Sequence, residues 1–420
     1  MVAPAANKTV LENGVRILTE AMPHSRSVSM GVWVDVGARD ESEAEQGLSH
    51  FIEHMIFKGT RKRSAFDIAK EFDAIGGYSN AFTGMENTCY HAKVLDSHLE
   101  TMVDILSDIF LNSVFDEAEV ERERAVICQE IGMLEDSPDE YLHLLAGRTW
   151  WGDHPLGRPV MGTRENVQGF SAEQIRAFFR RLYQPGRIIV SAAGHLNHDR
   201  FVDLVAPLFG TIENGGRFPR RKPALGRARV ELCTRDLEQT HLCVATRGLS
   251  IADPRRYAFT LMSAILGGNM SSRLFQEIRE RRGLAYSVYS FAHTYVDSGM
   301  SGACAGVEPR SAQESVRLIL KALGALCEAP VGDDELRDAK EYTKGSLLLS
   351  AESNDNQMVR LAQNEFHFGR QIPLEEVVAG IEAVTAEDIQ RLARHLFRPG
   401  ETALTVVGPV SDAAQFEDLA

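Results

Sequence analysis

Within "GLSHFIEHMIFKGT", residues 47–60, two imidazoles and a carboxylate sit among Leu48, Phe51, Ile52, Met55, Ile56 and Phe57. The apolar residues surround the axis of a helix expected over about 46–57, which leaves no broad polar face for water. His50 and His54 are four residues apart, so both imidazoles project from one helical face and can offer two nitrogens to one metal ion. Glu53 lies one residue around the helix, placed to reach water at that metal rather than the metal itself. This H-x-x-E-H order inverts the H-E-x-x-H pattern of zinc proteases. Unpaired, these groups would each cost several kcal/mol to bury, and a divalent ion offsets that cost.

A catalytic zinc takes three protein ligands and keeps a fourth position open. The third should come from another core-facing element, and "FDEAEVERERAVICQEIGMLEDSPDE" is the best candidate. Asp116 is placed to cap a helix there, with Glu119 three residues on completing a capping box. Ile127 and Leu134 mark an apolar stripe, and Glu123 and Glu130 fall on the same stripe. One of these glutamates is expected to bind the metal and the other to orient a ligand.

The elements that carry these residues recur. In the first half a strand ("VSMGVWVDVGARDE") precedes the apolar helix. Next come a helix capped by Ser64, a pair of strands ("YSNAFTG", "NTCYHAKVL") and two amphipathic helices. The order returns about 210 residues later from "QTHLCVATRGL", and the matching apolar helix, "RYAFTLMSAILGG", has no histidine. Each half closes with a helix and a short β segment. These patterns predict α+β architecture in two similar domains: 1–215 with the metal motif, a Gly-, Pro- and Arg-rich linker over 216–232, and 233–420 without the motif.

The totals agree with a two-domain globular chain: 420 residues, 44% hydrophobic and 25% charged. A net charge of −14 argues against a nucleic-acid partner and suits cationic ones. No stretch approaches a membrane span, and the N-terminus has the pattern of neither a signal nor a transit peptide. Six dispersed cysteines without a CxxC predict reduced thiols and a cytoplasmic setting. "GGNMSSR" lacks P-loop spacing, no G-x-S-x-G occurs, and "RKR" at 61–63 is too short for a nucleic-acid patch.

On these residues the chain resembles the M16 metallopeptidases, the family of pitrilysin, insulin-degrading enzyme and the mitochondrial processing peptidase. In that family a glutamate about 76 residues beyond the motif completes the zinc site, and Glu130 follows His54 by 76. A supporting glutamate seven residues earlier corresponds to Glu123. The family's "GG…NA.T…E.T.Y" segment resembles "GGYSNAFTGMENTCY", which implies that Asn80, Ala81, Phe82 and Thr83 line a cleft where substrate adds as a strand. "IRERRGLAYSVYS" resembles the family's Arg and Tyr pair, here Arg279 and Tyr286, which implies contact with the substrate carbonyl.

The resemblance thus implies two homologous domains, each with helices on a mainly antiparallel sheet. It implies a zinc endopeptidase with one Zn2+ per chain, held by His50, His54 and Glu130, with Glu53 as the base. Peptides or unfolded segments are the implied substrates. The implied assembly is a homodimer, or a heterodimer with a zinc-less paralogue. One of two acidic positions used by the processing peptidase to recognise arginine is kept as Glu140. The other falls at Leu144, which puts an arginine preference in doubt. The alternative is a non-catalytic peptide-binding or scaffold subunit of the same fold.

Overall fold

"SVSMGVWV" is apolar almost throughout because both faces of its strand are covered. In the computed structural model, which describes residues 6–213, 215, 218, 220–398, 400–410 and 414–417, this strand lies inside a sheet and is almost wholly buried. The strands are β1 (Asn7–Val10), β2 (Arg16–Ala21), β3 (Ser27–Val34), β4 (Tyr78–Thr83), β5 (Thr88–Leu95), β6 (Ile188–Gly194), β7 (Arg229–Thr234), β8 (Thr240–Arg247), β9 (Ala285–Thr294), β10 (Gly299–Val307) and β11 (Ala403–Gly408). The helices of the first half are α1 (Leu48–Ile56), α2 (Ala65–Ala74), α3 (Leu99–Asn112), α4 (Glu117–Asp136), α5 (Pro138–Trp151), α6 (Arg164–Gly169), α7 (Ala172–Leu182) and α8 (His198–Phe209). Those of the second are α9 (Arg256–Ser263), α10 (Ala312–Glu328), α11 (Asp333–Ser350), α12 (Asn354–Phe368), α13 (Leu374–Glu382), α14 (Ala386–Leu396) and α15 (Ala414–Glu417).

Among the described residues the strands form two sheets, ordered β1-β2-β6-β3-β5-β4 and β7-β11-β8-β10-β9. Both are mainly antiparallel. Each has one parallel pair, β2 with β6 and β7 with β11. The repeat expected from sequence is therefore present in the strand order itself, and the α+β class with helices packed on mainly antiparallel sheets holds.

The packing units are not the two contiguous halves. The first comprises residues 1–132, 159–221 and 349–371, and the second 133–158, 222–348 and 372–420. Each thus includes a helix from the other half of the chain. The expected segments 1–215, 216–232 and 233–420 do not follow these units, and the strand β7 already begins at Arg229, inside the expected linker.

In the first unit, alternation along β3 shows what the borrowed helix does. Val28, Met30, Val32 and Val34 join the core with residues of α1 and α3. On the opposite face, Trp33 packs with Met358, Leu361 and Ala362 of α12. Ser29 Oγ donates to Asp355 at 2.5 Å, and Trp33 Nε1 donates to Ser191 Oγ at 3.0 Å. A Cβ at Gly31 would lie 2.6 Å from Met358 Sδ and 2.7 Å from Trp33 Nε1, so a larger residue there would have to displace those side chains.

The second unit uses α5 in the same way. Leu242 and Val244 of β8 join a core with α9, α10 and α14, while His241 of the same strand meets Asp139 of α5 at 2.7 Å. Thr405 of β11 bonds Thr149 of α5 at 3.0 Å. The counterpart of the metal-motif helix, α9, is helical only to Ser263. The next five residues wind more widely and leave helical geometry at Gly267. Residues 275–280, where the repeat of the first half's order places the counterpart of the Ser64-capped helix, are also widely wound.

Candidate metal centre

Helix α1 starts at Gly47, whose φ of 101° is left-handed and whose Cβ would lie 2.6 Å from the Met161 carbonyl oxygen. Glycine is required there, so no side chain at that position can cap the helix. The cap comes instead from Glu41, which is buried. Its Oε2 accepts from the Gly47 N–H and its Oε1 from the Ser49 N–H, both at 2.7 Å. Burial pushes the Glu41 carboxyl up, while the N–H groups of Ser49 and Gly47, one on each oxygen, favour its ionised form and pull it down.

Leu48, Phe51, Ile52, Met55 and Ile56 are buried, as expected, whereas His50, Glu53 and His54 are half-buried along one side of the helix. Asp116 caps α4 by accepting from the Ala118 and Glu119 N–H groups at 2.9 and 3.3 Å. The Glu119 carboxylate pairs with Arg122. The buried stripe of α4 is Val120, Glu123, Ile127 and Ile131. Glu130 and Leu134 do not belong to it as expected, because the core takes the residue four beyond Ile127 rather than three. Glu130 instead flanks the stripe.

That rotation separates the two glutamates. His54 Nδ1 donates to Glu123 Oε2 at 3.0 Å, which turns the Nε2 lone pair away from the core. Lys58 Nζ holds the other Glu123 oxygen at 2.7 Å. Glu130 Oε2 lies 3.3 Å from His54 Nε2 and 3.7 Å from His50 Nε2. Both separations are longer than a usual hydrogen bond. The ligand atoms of His50, His54 and Glu130 all lie within 4.8 Å of one another.

Two imidazole nitrogens and one carboxylate oxygen are the donor set of a catalytic zinc, so the residues fit that ion. Burial and the neighbouring His54 lower His50 to about 4, which keeps its imidazole neutral and its lone pair free at neutral pH. Burial raises the Glu53 carboxyl above its usual range. Hydrogen bonding to Thr83 and the neighbouring His54 oppose this, and Glu130 adds to it. Glu53 Oε2 is buried with no hydrogen-bond partner among the described residues.

Thr83 belongs to β4, the last strand in its sheet's order, so one edge of β4 has no strand partner among the described residues. Asn80 and Phe82 are exposed, while Ala81 and Thr83 are half-buried. Phe82 stands edge-on to Trp33 at 5.5 Å. Glu140 is exposed on α5, in the second unit. Arg279 and Tyr286 also belong to the second unit and touch each other, with the guanidinium 5.2 Å from the Tyr286 ring centroid. Glu41 and Lys58 were not found by sequence reasoning. A helix that must begin at an uncapped glycine is the signal that could have pointed to Glu41.

Residues 16–164 match the family model described as Insulinase (Peptidase family M16), and residues 169–342 match Peptidase M16 inactive domain. The chain belongs to peptidase family M16. Among M16 relatives, it is 41% identical to the uncharacterized zinc protease YmxG of Bacillus subtilis, over 95% of this chain and 97% of the relative. It is 40% identical to an uncharacterized zinc protease of Streptomyces coelicolor, over 96% and 90%. A protease from Helicobacter pylori shares the fold, with a TM-score of 0.91, 21% identity and coverage of 97% and 100%. So does the peptidase M16 inactive domain from Pseudomonas fluorescens, with a TM-score of 0.91, 18% identity and coverage of 97% and 98%. Membership places the chain in a family of zinc proteases. Among the described residues no helix is long and apolar enough to cross a membrane.

Proposed function

We propose that this chain is a zinc endopeptidase acting on peptides or unfolded segments, with one zinc per chain held by His50, His54 and Glu130. The observation that carries this reading is the convergence of His50 Nε2, His54 Nε2 and Glu130 Oε2, with Glu53 beside them on the same helix. Zinc, when bound there, supplies Lewis acidity that makes water more acidic and polarises a carbonyl. Glu53 accepts the proton of the attacking water and delivers it to the leaving nitrogen, a task its raised pKa suits. Glu123 holds His54 in the tautomer that presents Nε2.

An extended substrate pairs along the free edge of β4, so that Asn80 to Thr83 offer main-chain hydrogen bonds and little side-chain selection. The family resemblance assigns Arg279 and Tyr286 to the carbonyl oxygen and Glu140 to substrate recognition. It also supports a dimer and a cytoplasmic setting, the latter in keeping with six free cysteines. Sedimentation at working concentration tests the dimer, and a monomer removes it. Peptide cleavage with and without a chelator tests the activity, alongside Glu53→Gln. The expected result is a variant that binds zinc and does not cleave. Cleavage that survives chelation would leave a different mechanism.

A further inference from the structure

The five residues "GARDE" at 37–41 reach three parts of the first unit from one short stretch of chain. The Ala38 and Arg39 N–H groups donate to the carbonyls of Gly84 and Met85, at 3.2 and 2.8 Å, in the turn between β4 and β5. Arg39 Nη1 also donates to Glu86 Oε1 at 2.5 Å, an ion pair buried on both sides. Asp40 accepts from Arg221 at 2.7 Å. Glu41, next in sequence, supplies both oxygens to the first turn of α1.

From this arrangement we propose that Glu41 is a positioning residue. It fixes the start of the metal-binding helix to the β4–β5 turn, and so fixes His50, Glu53 and His54 relative to the strand on which substrate is proposed to add. The inference rests on the reading of those three residues as metal ligands and base.

Two physical points carry it. Helix α1 has only nine residues, so its first turn, which includes His50, is about two-fifths of its length and fraying there reaches His50 directly. The required glycine at its start removes the ordinary local cap, and the Glu41 oxygens satisfy N–H groups that would otherwise be orphaned in a buried setting. The next residue after Ser49 is His50, so the bond to the Ser49 N–H lies one residue from a proposed ligand. The brace is rigid at its other end because the Arg39–Glu86 pair and two backbone bonds hold 37–41 to the turn.

Glu41→Gln keeps the shape but offers one acceptor and sets an NH2 against a backbone N–H. Glu43→Gln removes an exposed carboxylate two residues away and is the control. Backbone hydrogen exchange on the metal-free protein should accelerate about tenfold or more at residues 47–52 in Glu41→Gln, with β6 amides unchanged. Zinc affinity, measured by competition with a chelator, should fall about tenfold, the scale seen for groups acting through a ligand. At saturating zinc, kcat should fall with KM little changed, because the base and metal shift relative to bound substrate. Should Glu41→Gln fail to fold, Glu41→Asp keeps a carboxylate but withdraws it from the two N–H groups, and serves the same purpose. Unchanged exchange at 47–52 in a folded variant overturns the cap. Faster exchange with unchanged zinc affinity and kcat overturns the positioning role. If the wild-type protein bound no zinc, the functional reading would fall while the exchange arm still reported on Glu41.

Discussion

In the first unit His50 and His54 turn their Nε2 atoms toward one oxygen of Glu130, at 3.7 and 3.3 Å. In the second, His143 and His241 are each closed off by a single partner: the Tyr289 hydroxyl at 2.6 Å and the Asp139 carboxylate at 2.7 Å. Both units thus place imidazoles on or against a sheet, and the order of the second sheet matches that of the first without β1. The difference is in where the lone pairs go. A buried nitrogen with one well-placed partner is satisfied and inert, whereas nitrogens that converge without bonding one another leave room for a cation. Among the described residues no second group of three such side chains brings its ligand atoms as close.

The largest expected effects break this contrast at its centre. His50→Ala, His54→Ala and Glu130→Gln should each strip the protein of zinc by metal analysis, since each removes one of three ligands. Glu53→Gln should retain zinc and lose about 10²–10⁴ in kcat. Full metal content in Glu130→Gln with none in Glu123→Gln would mean that the two glutamates have been assigned the wrong way round.

Intermediate effects come from the partner that aims a ligand. Glu123→Gln should weaken zinc binding about 10–100-fold, without abolishing it, in a chelator competition. Tyr289→Phe acts on the closed type of imidazole. It should cost about 1 kcal/mol in a denaturant titration and leave metal content unchanged. A loss of zinc in Tyr289→Phe would contradict the distinction drawn between the two units.

An effect on the pH dependence of stability alone sharpens the contrast by moving it inside the first unit. His367 bonds Gln363 at 2.9 Å, and burial, then the Arg221 charge, lower its pKa to about 4. The native imidazole stays neutral between about 4 and its unfolded value of about 6.5. The unfolded chain takes up the proton in that window, so stability is full above 6.5 and falls as pH drops toward 4. Stability measured across that range should have a shallower slope in His367→Gln, by up to one proton. An unchanged slope would remove His367 from the acid response.

What was legible in the sequence was mostly local. The apolar ring around His50, Glu53 and His54 gave α1, and Ser64 and Asp116 cap α2 and α4 where their side chains predicted. The division of labour between Glu123 and Glu130 depended on a rotation of α4 that its own stripe pointed slightly wrong, since Ile131 rather than Glu130 turns inward. The exchange of α5 and α12 left no local mark. An amphipathic helix states that it will bury one face, and does not say against which of two similar sheets. Glu41 escaped because its partners are backbone N–H groups, which every residue but proline carries.

The exchanged helices bear on how the protein is made. A ribosome releases the chain from its N-terminal end at roughly 5–20 residues per second. The strands of the first sheet are all synthesised by Gly194, but the helix that covers Leu18, Trp33 and Ile189 is not complete until Phe368. For the intervening stretch of translation the first sheet has helix α1 available for one face, while its other apolar face has no cover. A chain cut short before residue 349 would lack the helix that covers Leu18, Trp33 and Ile189 and would leave that face exposed.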